Sequence, residues 1–453
     1  MNHCFLLKAG CLSLSLLAGQ ALAAVPADQA ARLGTDLTPI GAEKAGNADG
    51  SIPAWTGGLP ASTGTADAGG FLPDPFAAEQ PLFTITAQNA SQYAAKLTPG
   101  QLAMLKRFPD SYRIPVYPSH RSAAVAPDVA AAARENAVNT HLAEGGNGLE
   151  NFKMSVPFPL PKDGLEVIWN HITRYRGKAM QRTTAQMNPQ TDGNYTISYM
   201  KEDFAFPFGL QDYDPVKMNN ILYYFRQEVL SPPRRAGSVM LVLETINQVK
   251  EPRMAWMYNA GQRRVRRAPQ VGYDSPGAEG MRSTYDDFDM FNGAPDRYDW
   301  KLVGKQELYI PYDSFKLDSP KAKYTDIVKP GHLNPDYTRY ELHRVWHVVA
   351  TLKSGQRHIY SKRDLYIDED TWQIAEADAY DGRGNLWRVS EGHARPFYDQ
   401  QFTWLTAETH YDIVSGRYTV SGLRNEEKSS YSFNQKTTSN DFTPNALRAT
   451  GIR

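Results

Sequence analysis

Apolar positions along this chain alternate with polar ones far more often than they recur at helical spacing. Tyr195, Ile197 and Tyr199 are separated by Thr196 and Ser198, the period-two pattern of a strand with one buried face. The same reading gives strands from Tyr223 to Leu230 and from Ser238 to Val249, the latter apolar on both faces at its start and so covered on both sides. Met254 to Tyr258 and Arg263 to Arg267 flank Asn259-Ala260-Gly261-Gln262 and predict a hairpin. Trp300 to Ile310, Tyr340 to Leu352, Gln356 to Ile367, Trp372 to Tyr380, Asn385 to Val389, Phe402 to Tyr411 and Gly416 to Gly422 extend the series. Turn signals between closely spaced strands, with no long helix among them, predict an antiparallel meander.

Helices are predicted mainly in the first third. Thr98-Pro99 supplies an N-cap and a first-turn proline for a helix through Arg107. Pro127 opens an alanine-rich helix to about Ala143, and Gly164 to Tyr175 reads as a short amphipathic helix carrying Trp169. Residues 33–58 have neither period and read as loops with defined turns. The boundaries are therefore a leader over 1–23, an extension of loops and helices over 24–150, a β domain over 151–423 and a Ser/Thr/Asn-rich tail over 424–453.

Composition removes several classes. The 453 residues carry 49 basic and 49 acidic side chains, a balance unlike that of a polybasic nucleic-acid binder. The start of the chain has a short basic segment ending at Lys8, an apolar stretch from Ala9 to Ala18, and Ala21-Leu22-Ala23, the three parts of a secretory signal peptide. Cleavage after Ala23 removes Cys4 and Cys11, so the mature chain has no thiol for a disulfide, a zinc site or a nucleophile. Cys11 precedes most of the apolar stretch, so a lipoprotein leader is not indicated. The expected destination is the periplasm, without lipidation and without a transmembrane helix.

Motifs for catalysis are sparse. His343 and His347 have the spacing of a helical zinc pair, but the segment alternates like a strand, and four residues of strand span about 13 Å, too far for one metal. Asp378 to Asn385 lacks the alternating acids of a calcium loop and reads as a hairpin turn. There is no Gly-x-Ser-x-Gly elbow and no phosphate-binding glycine loop. No catalytic residue, metal ligand or cofactor is assigned; a pair of carboxylates acting on a sugar stays open, since it needs no local motif. Arg263, Arg264, Arg266 and Arg267 form the sharpest local feature. The first reading is an internal network with Asp286, Asp287 and Asp289; the second is a contact for an anionic headgroup or a partner protein.

Several stretches together resemble a known family: Leu37 to Gly58, Phe158-Pro-Leu-Pro-Lys-Asp-Gly-Leu-Glu-Val-Ile-Trp-Asn-His171, Trp256 to Arg267, Asp286-Asp-Phe-Asp-Met-Phe-Asn-Gly293 and Arg339 to Trp346. The chain is similar to LolA-like exported proteobacterial proteins of unknown function, often labelled outer-membrane lipoprotein-sorting proteins. The resemblance implies a mainly β fold with accessory helices, a half-open antiparallel barrel of the lipoprotein-carrier type. It also implies a non-enzymatic carrier of a lipid or other hydrophobic molecule, with an RND-type inner-membrane transporter and an outer-membrane protein as expected partners. In that reading Tyr195, Ile197, Tyr199, Leu241, Leu243, Trp256, Tyr258, Trp346, Val348, Trp372 and Ile374 are cavity candidates, with core packing as the alternative for each. Two other functions remain open: an exported hydrolase or carbohydrate-active enzyme with paired carboxylates, and a ligand-free envelope adaptor.

Overall fold

The computed structural model describes residues 25–269, 272–277, 280–427 and 431–451. The signal peptide and cleavage point expected from the sequence lie outside the described residues. The extension contains α1 (Ala27–Ala30), β1 (Phe83–Ile85), α2 (Ala90–Tyr93), α3 (Pro99–Arg107), β2 (Ile114–Val116), α4 (Pro127–Asn139) and a small hairpin of β3 (His141–Leu142) and β4 (Leu149–Glu150). Helix α5 (Gly164–Thr173) leads into β5 (Ala179–Met187), β6 (Ile197–Ala205), β7 (Ile221–Val229), β8 (Val239–Thr245), β9 (Met254–Asn259) and β10 (Arg264–Arg267). A long connection reaches β11 (Tyr298–Pro311), and α6 (Tyr324–Ile327) precedes β12 (Tyr340–Leu352). The meander continues through β13 (Lys362–Asp368), β14 (Ile374–Tyr380), β15 (Leu386–Phe397), β16 (Phe402–Asp412) and β17 (Arg417–Leu423), then β18 (Tyr431–Phe433) and α7 (Pro444–Gly451).

Sixteen of these strands form one sheet. Its path runs β1-β2, then β12 to β17 in order, then β5 to β10, with β11 on β12 and β18 on β5. Apart from a single parallel bridge between Tyr340 and Val116, every pairing is antiparallel. The mainly β, antiparallel expectation therefore stands. A closed barrel does not form, because β10 and β11 do not pair among the described residues.

Helix α5 explains the largest core. Asp163 caps it, accepting a hydrogen bond from Glu166 N at 2.9 Å, and its residues are buried on all sides, Leu165 aside. Val167, Ile168, Trp169 and Ile172 pack with Val348, Leu365, Ile367, Ile374, Phe204 and Trp404 in one apolar cluster. A second cluster joins the extension to the sheet: Met104, Leu105, Ile85 and Ile114 lie with Leu342, Val389, Ala407 and Val420. A third sits beneath the C-terminal segment, where Phe442 and Leu447 cover Val239, Leu241 and Tyr258. The residues from 431 to 451, read from sequence as a tail, thus supply a paired strand and a buried helix face.

Candidate functional site

Antiparallel register assigns side chains to faces, because directly paired residues share one. Phe204 pairs with Phe225, Phe225 with Val242, and Val242 with Ala255. In the neighbouring row Gln227 pairs with Met240, Met240 with Met257, and Met257 with Arg266. Arg264, opposite Asn259, continues the same face. This face is an apolar track. It starts inside the main core at Phe204 and Phe225, passes the half-buried Met240 and Ala255, and ends at Met257, 51% exposed, beside two exposed arginines.

The inner end of the track is closed by Tyr285–Met290. Phe288 stands 6.2 Å from the Phe204 ring and 5.9 Å from Phe225. Its neighbour Asp289 pins the segment to the end of α5, accepting from Arg174 at 2.7 Å, from Trp404 Nε1 at 3.1 Å and from Arg176. Burial pushes the Asp289 carboxyl up, but Arg174 and Arg176 outweigh it and hold the group well below the usual carboxylate range.

These contacts correct the internal-network reading of the hairpin arginines. Asp286 pairs with Arg363 at 2.9 Å, Asp287 accepts from Tyr360 at 3.1 Å, and Asp289 is taken by Arg174 and Arg176. Arg263, Arg264, Arg266 and Arg267 are all exposed, and none has an ion pair among the described residues. Arg263 takes the left-handed turn position at φ +51°. The charges suit an edge strand, whose unpaired backbone would otherwise invite another strand.

The cavity candidates fall into three places. Trp346, Val348, Trp372 and Ile374 belong to the main core, where Trp372 donates to Ile40 O at 2.9 Å and stacks on Trp346. Leu241, Leu243, Trp256 and Tyr258 lie on the face beneath α7, opposite the track. Tyr195, Ile197 and Tyr199 are half-buried at the margin of the second cluster. The track residues Met240, Val242, Ala255 and Met257 were missed. Met254-Ala-Trp-Met-Tyr is apolar at nearly every position, so alternation alone does not choose a face; the pairing does.

Two clusters bear on catalysis and metals. Glu376 and Glu391 pair directly across β14 and β15 and are 0% and 1% exposed, sealed within the sheet. Tyr112 and Tyr340 donate to Glu391 Oε1 at 2.7 and 2.8 Å, and burial pushes Glu376 well up. His343, Asp368 and Asp370 place ligand-type atoms within 4.8 Å of one another. Both Asp370 oxygens, however, accept from Arg121, at 2.8 and 2.5 Å; His343 Nε2 lies 3.2 Å from Glu341; and Thr371 donates to Asp368 at 2.6 Å. The group is an ion-pair network that ties the β13–β14 turn to Lys44 O through Arg121. His347 turns to Asp364 at 3.1 Å, apart from His343.

These features define a mainly β protein with a helix-filled, open-edged antiparallel sheet. Residues 84–448 match the family model described as "Protein of unknown function (DUF1329)", and the chain belongs to that family. It is 64% identical over 450 residues to the uncharacterized protein PA3922 of Pseudomonas aeruginosa, covering 99% of each chain. Solved structures similar to it include a putative outer membrane lipoprotein-sorting protein domain from Vibrio parahaemolyticus, at 14% identity and TM-score 0.44, covering 63% of this chain and 98% of that one. A DUF1329 family protein from Desulfovibrio piger gives 14% and 0.41, covering 60% and 92%. A LolA superfamily protein from Nitrosomonas europaea gives 11% and 0.37, covering 62% and 98%. No helix among the described residues is long and apolar enough to cross a membrane.

Proposed function

We propose that this protein is a non-enzymatic carrier of the periplasm that takes up a lipid or other hydrophobic molecule on the open face of β7 to β10. The sheet there is the exposed flank of a half-open barrel of the lipoprotein-carrier type. The observation that carries this reading is the track from Phe225 and Val242 through Met240 and Ala255 to the exposed Met257. An acyl chain laid along it gains about 0.8 kcal/mol for each CH₂ removed from water. Arg264 and Arg266, at the solvent end of that face, suit an anionic headgroup. The carrier would hand its cargo between an inner-membrane transporter of the RND type and an outer-membrane protein.

Mass spectrometry of organic extracts from gently purified protein tests this. A stoichiometric lipid supports it, and repeatedly empty protein counts against it. A second reading, a ligand-free envelope adaptor, is favoured by one observation: α5 and Phe288 already fill the inner end of the face. An adaptor predicts a protein partner captured with intact hairpin arginines and no extracted lipid.

A further inference from the structure

A small pocket lies just past the C-terminal end of α5 and is lined by none of the track residues. It is a cavity of about 30 Å³ bounded by the loop before α4, the strained Ser155, the residues just after α5, the β13–β14 turn and the start of β16. That volume has room for about two or three water-sized groups. Much of its wall is apolar, with Val125, Val129 and Phe402 among the lining residues.

Three of the lining residues each carry a buried polar atom with no hydrogen-bond partner: Ser155 Oγ, Arg174 Nε and Thr403 Oγ1. All three can donate. Arg174 is otherwise committed. Its Nη1 donates to His171 O at 2.6 Å, and its Nη2 donates to Asp289 Oδ1 at 2.7 Å and to Gln373. The Nε–H and one Nη1 hydrogen are not used by these bonds, and Nε has no partner at all. Asp289 also serves Arg176, so two buried guanidinium groups share one carboxylate, with Glu408 the next carboxylate that Arg174 feels. Burial lowers the Arg174 guanidinium to about 10, with Asp289 opposing and Arg176 adding to the shift. Asp370 also lines the pocket, but both its oxygens are held by Arg121.

An unpartnered buried donor is costly, and three around one small cavity call for an acceptor-only group. A carboxylate offers two acceptor oxygens of the right size and, beside two guanidinium groups that share Asp289, a fitting sign. We propose that this pocket binds a carboxylate group, either of a small free acid or at the end of an apolar chain.

Titration calorimetry with sodium acetate and sodium octanoate tests it, using the wild-type protein and the variants Thr403→Val and Ser155→Ala. Both substitutions leave the Arg174–Asp289 pair intact, and thermal melts without ligand establish that each variant is folded. The expected result is saturable acetate binding that weakens about tenfold when either hydroxyl is removed, the scale of one hydrogen bond to a charged group. Octanoate binding more tightly than acetate assigns the pocket to a chain-bearing acid; equal affinities assign it to small free acids. Absence of saturable binding by both acids, or equal binding in all three proteins, overturns the proposal. The acetate result does not depend on the apolar track, which these substitutions do not touch, and octanoate binding is assigned to this pocket only to the extent that Thr403→Val and Ser155→Ala weaken it.

Discussion

Asp289 sits in the left-handed region at φ +56° and holds Arg174 and Arg176 inside the protein. Removing its charge by Asp289→Asn leaves two buried guanidinium groups uncompensated. The expected loss is about 3–5 kcal/mol, read from urea unfolding at pH 7. Because its folded pKa is depressed, its stabilisation is present above the unfolded value of a carboxylate and is lost as pH falls. The wild-type advantage over the variant must therefore shrink in acid. Asp378 has the opposite sign. Burial raises it to about 7, against the hydrogen bond it accepts from Gly100 N at 2.9 Å. The native state holds that proton where the unfolded state has released it, so this group makes stability fall as pH rises from about 4 to about 7. Asp378→Asn is expected to flatten that fall, measured as urea midpoints of both proteins at pH 5 and pH 8. An unchanged slope would contradict the assignment. The sequence names both aspartates, Asp289 as a partner for the hairpin arginines and Asp378 at the head of a turn, but not these roles, because what sets the roles is burial and partners remote in the chain.

Elements were more legible where their signals are local. Thr98-Pro99 and Gln101 build a full capping box, and α3 ends at Arg107 as the pattern predicts. Strand β12 has the predicted limits, Tyr340–Leu352. Helix α4 stops at Asn139, short of Ala143, because Thr140 leads into the β3–β4 hairpin. Strand β5 was not read at all. Its Gln181 and Arg182 look like loop polarity, yet Gln181 donates to Asp203 at 2.7 Å and Arg182 to Glu202 at 2.6 Å from the next strand. Cross-strand partners of that kind have no local signature. Glycine at position 100 tests how α3 docks. Ala normally stabilises a helix by about 1 kcal/mol over Gly. Here a Cβ would stand 1.9 Å from Asp378 Oδ1 and 2.9 Å from Val389 Cγ1. Gly100→Ala is therefore expected to destabilise the protein by about 1–3 kcal/mol despite its better propensity. A raised melting temperature would show that α3 does not pack against β14 and β15 as described.

At the scale of the whole molecule, the extension and the sheet share a core, through α3, β1 and β2 on one side and through Ile40 and Ala133 beside α5 on the other. The long β10–β11 connection brings Tyr285–Met290 back into that core, leaving β10 as an edge. The sequence reading reached the antiparallel class and the arginine-rich hairpin, but it distributed its cavity candidates over three cores, since choosing a face requires the register. The central claim, that the β7–β10 face takes up apolar molecules, is tested most directly by a fluorescence titration with N-phenyl-1-naphthylamine. This neutral probe has no carboxylate to engage the pocket beside Arg174. The titration compares wild type with Met257→Glu, a substitution at an exposed position that leaves the fold intact. The account predicts saturable binding to wild type and at least about tenfold weaker binding once a charge is placed on the track. No saturable binding, or equal affinity in the two proteins, would contradict it.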